Sequence, residues 1–155
     1  MQMKTVLNRV HPIKGFVYQK VRFVDEAIEV EVRPRKRSRA YCSGCGRRGP
    51  TYDHLAEREF AFVPLWAISV YLVYAMRRVD CRRCGVTVEM TPWADGKHHL
   101  TRAYAVFLAR WARRLSWREV AEIFRTSWES VYRSVAWVVA YGLRHRNLDG
   151  VTAIG

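Results

Sequence analysis

No stretch of this 155-residue chain is apolar for long enough to span a bilayer as a helix. The longest run, Val63 to Met76, is fourteen residues interrupted by Pro64 and Ser69, against the ~20 that a spanning helix needs. The first sixteen residues carry Lys4, Arg9, Pro12 and Lys14 and lack the apolar block of a secretory signal, so export is not expected and the expected compartment is the cytoplasm. Negative charge is also scarce: 14 Asp and Glu face 27 Lys and Arg, for a net charge of +13, and 22 of the 27 cations are arginine. An acidic partner is implied. The planar guanidinium fork suits phosphates and base edges, which points to nucleic acid and away from a small-molecule substrate or a membrane. Half the residues are apolar and 13% aromatic, enough core material for one or two small domains.

Cysteine is rare as well, and its four copies are not scattered. They form Cys42-Ser43-Gly44-Cys45-Gly46 and Cys81-Arg82-Arg83-Cys84-Gly85. Two residues between thiolates let both sulfurs point into one hollow, and the following glycine takes the positive φ that closes the turn while backbone N–H groups aim at sulfur. A thioredoxin-type dithiol needs only one such motif, and a pair of disulfides needs an oxidising compartment. The doubled spacing favours one tetrahedral site made of Cys42, Cys45, Cys81 and Cys84, holding Zn²⁺ as a structural ion with no open position for catalysis. His54 is then expected to be a surface or packing histidine, since four thiolates already satisfy the metal.

The predicted fold is α+β: a β-rich zinc ribbon followed by an all-α helix-turn-helix region. Phe16–Val24 and Ala27–Arg33 read as strands joined at Asp25-Glu26, with Ile28, Val30 and Val32 alternating against charged residues. Pro34 ends the pairing and opens the basic run Arg35, Lys36, Arg37, Ser38, Arg39, which is either a solvated connector or a phosphate-contacting arm. Val63–Met76 reads as one long strand with Ile68, Val70, Leu72, Tyr74 and Met76 on one face, and Val86–Met90 as a short return strand. The expected organisation is a hairpin and ribbon over 1–92, a linker over 93–100, helices over 101–147, and the start of a further domain over 148–155.

In the helical part, Thr101 caps a helix to Arg114 along Tyr104, Phe107, Leu108 and Trp111. Ser116-Trp117-Arg118-Glu119 is a capping box opening a short helix, and Thr126-Ser127 caps a third through Val131, Val135 and Val138 to about Leu143. Ala121 and Val131, ten apart, fit the tight crossing of a helix-turn-helix. The alternative is a plain helical bundle. The turn position usually taken by glycine is Arg125, which finds a left-handed backbone costly. In this register Ser127, Trp128, Glu129, Tyr132 and Arg133 face a DNA groove, with Arg118 and Arg125 near phosphates and Arg133 the best base reader. Trp128 and Tyr132 fit a core or a partner chain as well, and a second copy of the chain is a candidate partner.

Five stretches together resemble the N-terminal region of bacterial insertion-sequence transposases of the zinc-ribbon group, the ISL-three family. They are Cys42-x-x-Cys45, Arg77-Arg78-Val79-Asp80-Cys81-x-x-Cys84-Gly85-Val86, Thr91-Pro92-Trp93-Ala94, Leu115-Ser116 through Val131, and Leu148 to Gly155. The resemblance implies a nucleoid-associated protein whose ribbon and helix-turn-helix bind the terminal inverted repeats of an element. It implies a following ribonuclease-H-like domain whose first catalytic aspartate comes just after the segment resembling Ala153-Ile154-Gly155. On that expectation the chain is truncated before the catalytic domain, has no catalytic residue and is no enzyme alone. A stand-alone DNA-binding regulator or inhibitor derived from a transposase is the alternative. A zinc hydrolase, a redox enzyme or a nuclease built on Asp53, Glu57, Glu59 and Asp95 fits less well, because those carboxylates lie in segments read as ribbon and linker.

Overall fold

The long apolar run folds back on itself. In the computed structural model, which describes residues 2–96, 98–147 and 149, Trp66 and Ala67 have φ of 51° and 63°. They form a two-residue turn between β5 (Thr51–Leu65) and β6 (Ile68–Cys81), the backbone that a tight hairpin of twisted strands requires. The single strand expected over Val63–Met76 is therefore a hairpin, and the polar segment before it is the rest of β5. The face assignment holds: Val70, Leu72, Tyr74 and Met76 are buried in the core, and Ile68 packs at its margin. Asp25 and Glu26, with φ of 46° and 62°, make the expected turn between β1 (Phe16–Val24) and β2 (Ala27–Pro34).

The sheet order is β1-β2-β6-β5. β2 runs parallel to the first half of β6, with Ile28 beside Val70, and β7 (Gly85–Val88) pairs antiparallel with its last residues. One strand thus serves two structures: its start lies in the main sheet and its end carries Cys81. An unexpected helix, α1 (Met3–Val10), precedes the sheet. Its cap residue Gln2 makes no side-chain bond, so the usual start signal is missing. Leu7 is buried in the core, and Asn8 bonds both backbone groups of Tyr18 (N–H to Oδ1 3.1 Å, Nδ2 to O 2.9 Å) beside the bulge between Tyr18 and Lys20. Trp93 closes the core through edge-to-face contacts with Phe16 (4.8 Å), Tyr74 (5.3 Å) and Phe60 (5.9 Å). The linker expected over 93–100 thus begins with two core residues, Trp93 and Ala94, and belongs to the first of two units, Met1–Tyr104 and Ala105–Gly155. Large rings at the sheet's mouth outweigh the loop-like composition around them.

The four helices are completed by α2 (Arg102–Trp111), α3 (Trp117–Ile123) and α4 (Trp128–His145). Thr101 Oγ1 accepts the Tyr104 N–H at 3.2 Å, the expected cap. The capping box also forms: Ser116 Oγ accepts the Glu119 N–H and the Glu119 carboxylate accepts the Ser116 N–H. The Ser116 hydroxyl (2.7 Å) and backbone N–H (2.8 Å) both donate to the Glu119 carboxylate and hold it below its ordinary pKa. Leu108, Val120 and Val131 are fully buried, and Phe124 packs edge-to-face with Phe107 (4.9 Å) and tilted against Trp111 (5.6 Å). The segment 148–155, expected to open a catalytic domain, lies outside the described residues apart from Asp149.

Candidate metal centre and nucleic-acid interface

The first cysteine pair lies in a small hairpin of β3 (Ala40–Tyr41) and β4 (Arg48–Gly49), the second where β6 turns into β7. Gly46 and Gly85 have the expected positive φ, 70° and 73°. Gly49 answers a different need. A Cβ there would stand 2.6 Å from Val79 Cγ1 and 2.9 Å from the Asp80 carbonyl oxygen, so glycine lets the first turn lie flat against β6 and meet the second. The four Sγ atoms all lie within 4.8 Å of one another, and Cys45 and Cys81 are 3.6 Å apart. Tetrahedral zinc with bonds of about 2.3 Å places its sulfurs about 3.8 Å apart, so the donor set fits one structural zinc ion.

The surroundings favour thiolate. Cys42 Sγ lies 3.2 Å from Thr87 Oγ1, and this bond, with backbone N–H groups of Cys45 and Gly44, brings the Cys42 pKa down to about 6. Backbone N–H groups of Arg83 and Cys84 likewise lower Cys81. Cys84 goes the other way, to about 12, chiefly through its hydrogen bonds to Cys45 and Cys42 and the negative charge of those two thiolates. Successive negative charges in one hollow oppose each other until a cation neutralises them. Among the described residues this is the one group of three or more side chains able to hold a metal. His54 is not in it.

Beneath the metal centre lies a pair of buried charges. Glu89 accepts from Arg77 Nε (2.9 Å) and Nη2 (2.7 Å), from the Arg77 N–H (2.8 Å) and from the Tyr74 hydroxyl (2.5 Å), and Arg77 Nη1 donates to the Ser38 carbonyl at 2.9 Å. The two side chains are 6% and 1% exposed. Glu89 also bridges Cys42 through the backbone, so one ion pair ties the sheet, the arm and the first zinc ligand together.

In the second unit, Ser127 caps α4 by accepting the Ser130 N–H at 3.1 Å. Trp128, Glu129, Tyr132 and Arg133 are exposed on its first turns, and Tyr132 lies 5.5 Å from the Trp117 ring. Arg133 donates to Glu129 at 2.6 Å, and Arg118 to Glu122 at 3.1 Å. Ala121 and Val131 are both buried. In the first unit Arg35, Lys36, Arg37 and Arg39 are all exposed; Arg35 Nε donates to the Phe16 carbonyl at 3.3 Å.

Residues 38–84 match the family model described as the zinc-finger of transposase IS204/IS1001/IS1096/IS1165. Over these residues the chain is similar to the zinc ribbon of ISL-three transposases. A transposase for insertion sequence element IS1557 from Mycobacterium tuberculosis (strain CDC 1551 / Oshkosh) is 35% identical over 112 residues, and its counterpart in strain ATCC 25618 / H37Rv matches equally. The aligned region is 70% of this chain and 25% of each relative, so the chain spans about a quarter of the length of the curated relatives it matches. No solved structure matches. The metal centre includes residues that sequence reasoning passed over. Thr87 supports Cys42, and exposed arginines lie at both zinc turns, Arg47 and Arg48 just after the first and Arg82 and Arg83 inside the second. The doubled arginines at each cysteine pair were the available signal.

Proposed function

We propose that this chain is the end-recognition module of an insertion-sequence transposase. It binds the terminal inverted repeats as double-stranded DNA through a helix-turn-helix formed by α3 and α4, with zinc as a structural ion. The observation that carries this reading is the α3–α4 unit: both caps form, Ala121 and Val131 are both buried, and the first turns of α4 present Ser127, Trp128, Glu129, Tyr132 and Arg133 to solvent. The net charge of +13 and the relatives' identity as transposases support it. A DNA-bound module of this kind works in the cytoplasm, at the nucleoid.

Arg133 would give up Glu129 to fork onto a guanine. An exposed i,i+4 ion pair is worth about 0.3–0.5 kcal/mol, whereas a bidentate arginine–guanine pair discriminates by about 1–3 kcal/mol, so the exchange is favourable. Arg133→Ala is therefore expected to weaken binding to a terminal-repeat duplex by about 1–3 kcal/mol and to leave a mixed-sequence duplex nearly unaffected. Removing Arg35, Arg37 and Arg39 together should weaken both duplexes alike. Each lost phosphate contact should flatten the slope of log K against log salt by about 0.9. Fluorescence anisotropy across a salt series reads both effects. Equal weakening of both duplexes by Arg133→Ala would place α4 in the wrong register.

The same reading assigns recognition to this chain and strand transfer to the parts of its relatives beyond the aligned quarter. Two of the carboxylates that could serve a nuclease are held by arginines, Asp53 by Arg78 and Asp95 by Arg102. Incubation with Mg²⁺ or Mn²⁺ is expected to leave element-end DNA uncut. Metal-dependent nicking abolished by changing one carboxylate within residues 1–155 would contradict the assignment.

A further inference from the structure

Among the described residues, six other than glycine have positive φ. Four make the two hairpin turns and Arg37 lies in a turn of the basic run, closed by the Ser38 N–H on the Arg35 carbonyl at 2.9 Å. Arg125, with φ of 50°, is the one at the end of a helix. The Thr126 N–H reaches back to the Ala121 carbonyl at 2.9 Å and the Arg125 N–H to Glu122 at 3.4 Å. That is the paired closure of a Schellman turn, whose left-handed position favours glycine because any Cβ crowds the backbone there.

Arg125 is exposed, and among the described residues its guanidinium has no hydrogen bond or ion pair. Its neighbours differ: Arg118 is held by Glu122 and Arg133 by Glu129. The turn thus holds an unneutralised cation at the position where stability alone selects glycine. Strain of this kind persists where function requires the side chain.

We propose that Arg125 is the phosphate anchor of the α3–α4 turn. Its guanidinium contacts a backbone phosphate of duplex DNA and positions α4, and the left-handed backbone is the thermodynamic cost of that placement. This inference rests on the helix-turn-helix reading. A phosphate contact carries no sequence information, so Arg125 holds where Arg133 reads.

The 155-residue chain, zinc-loaded, tests this with Arg125→Gly and Arg125→Lys on a mixed-sequence duplex and a terminal-repeat duplex, with Arg133→Ala alongside. Arg125→Gly should raise the melting temperature of the helical unit by up to about 4 °C. It should weaken both duplexes by the same factor and lower the salt slope by about 0.9. Arg125→Lys keeps the charge and the strain, so it should keep the slope and the wild-type melting temperature. Unchanged binding by Arg125→Gly overturns the proposal, as does a lysine variant that loses as much slope as the glycine one. A fall in melting temperature with glycine overturns the strain argument. If Arg133→Ala still lowers the terminal-repeat preference in those cases, the helix-turn-helix reading stands and only the role of Arg125 falls. If Arg133→Ala leaves that preference intact, the reading itself has failed.

Discussion

Cys81→Ser is expected to release the metal and unfold the ribbon. A structural zinc site contributes folding free energy on the order of 10 kcal/mol, more than a few short strands can supply, and three thiolates cannot close the tetrahedron. Cys81 lies at the end of β6, opposite Gly85, so the loss should spread into β7 and the β3–β4 hairpin. In the second unit, α3 and α4 have a separate core on Val120 and Val131 and should keep their helical signal. Elemental analysis of the reduced protein and amide exchange over residues 38–90 check this. Protection of the ribbon that survives a strong chelator would refute the role given to zinc.

The second large effect is expected at Glu89. Glu89→Gln leaves Arg77 buried and charged with its partner neutralised, and breaking a buried ion pair in this way costs about 3–5 kcal/mol. Tyr74→Phe removes one hydrogen bond from the same carboxylate and should cost only about 1 kcal/mol. Because Glu89 bridges Cys42 and Arg77 reaches the Ser38 carbonyl, the Gln variant should also bind zinc more weakly in a chelator competition. Urea denaturation in the presence of zinc separates the two variants. An unmoved midpoint for Glu89→Gln would mean that the pair contributes nothing net.

The four zinc ligands, the β1–β2 hairpin and both caps of the α3–α4 unit were legible because each is local: a spacing, an alternation, or a side chain three residues from its partner. The other features were not local. The Trp66-Ala67 turn has the right backbone without the Asn-Gly signature that announces it, so two strands looked like one. Helix α1 lacks a side-chain cap and owes its place to Leu7 and Asn8 docking on the core and on Tyr18. Arg77 and Glu89 each resemble an ordinary surface charge and become a buried pair only when the antiparallel pairing of β6 with β7 brings them together across twelve residues. Trp93 looked like part of a linker because its partners, Phe16, Phe60 and Tyr74, come from three separate strands. The cost of a left-handed Arg125 was visible in advance from the position of Ala121, and the backbone adopts that conformation all the same.

Sequence-directed binding of element-end DNA is tested most directly by one equilibrium titration. The zinc-loaded chain competes a terminal-repeat duplex against a mixed-sequence duplex of equal length at physiological salt. The expected result is a preference for the repeat of about a thousandfold or more, the range typical of a sequence-specific protein. Equal affinity for the two duplexes would show that the basic surface only holds DNA, and would contradict recognition of the element ends by α4.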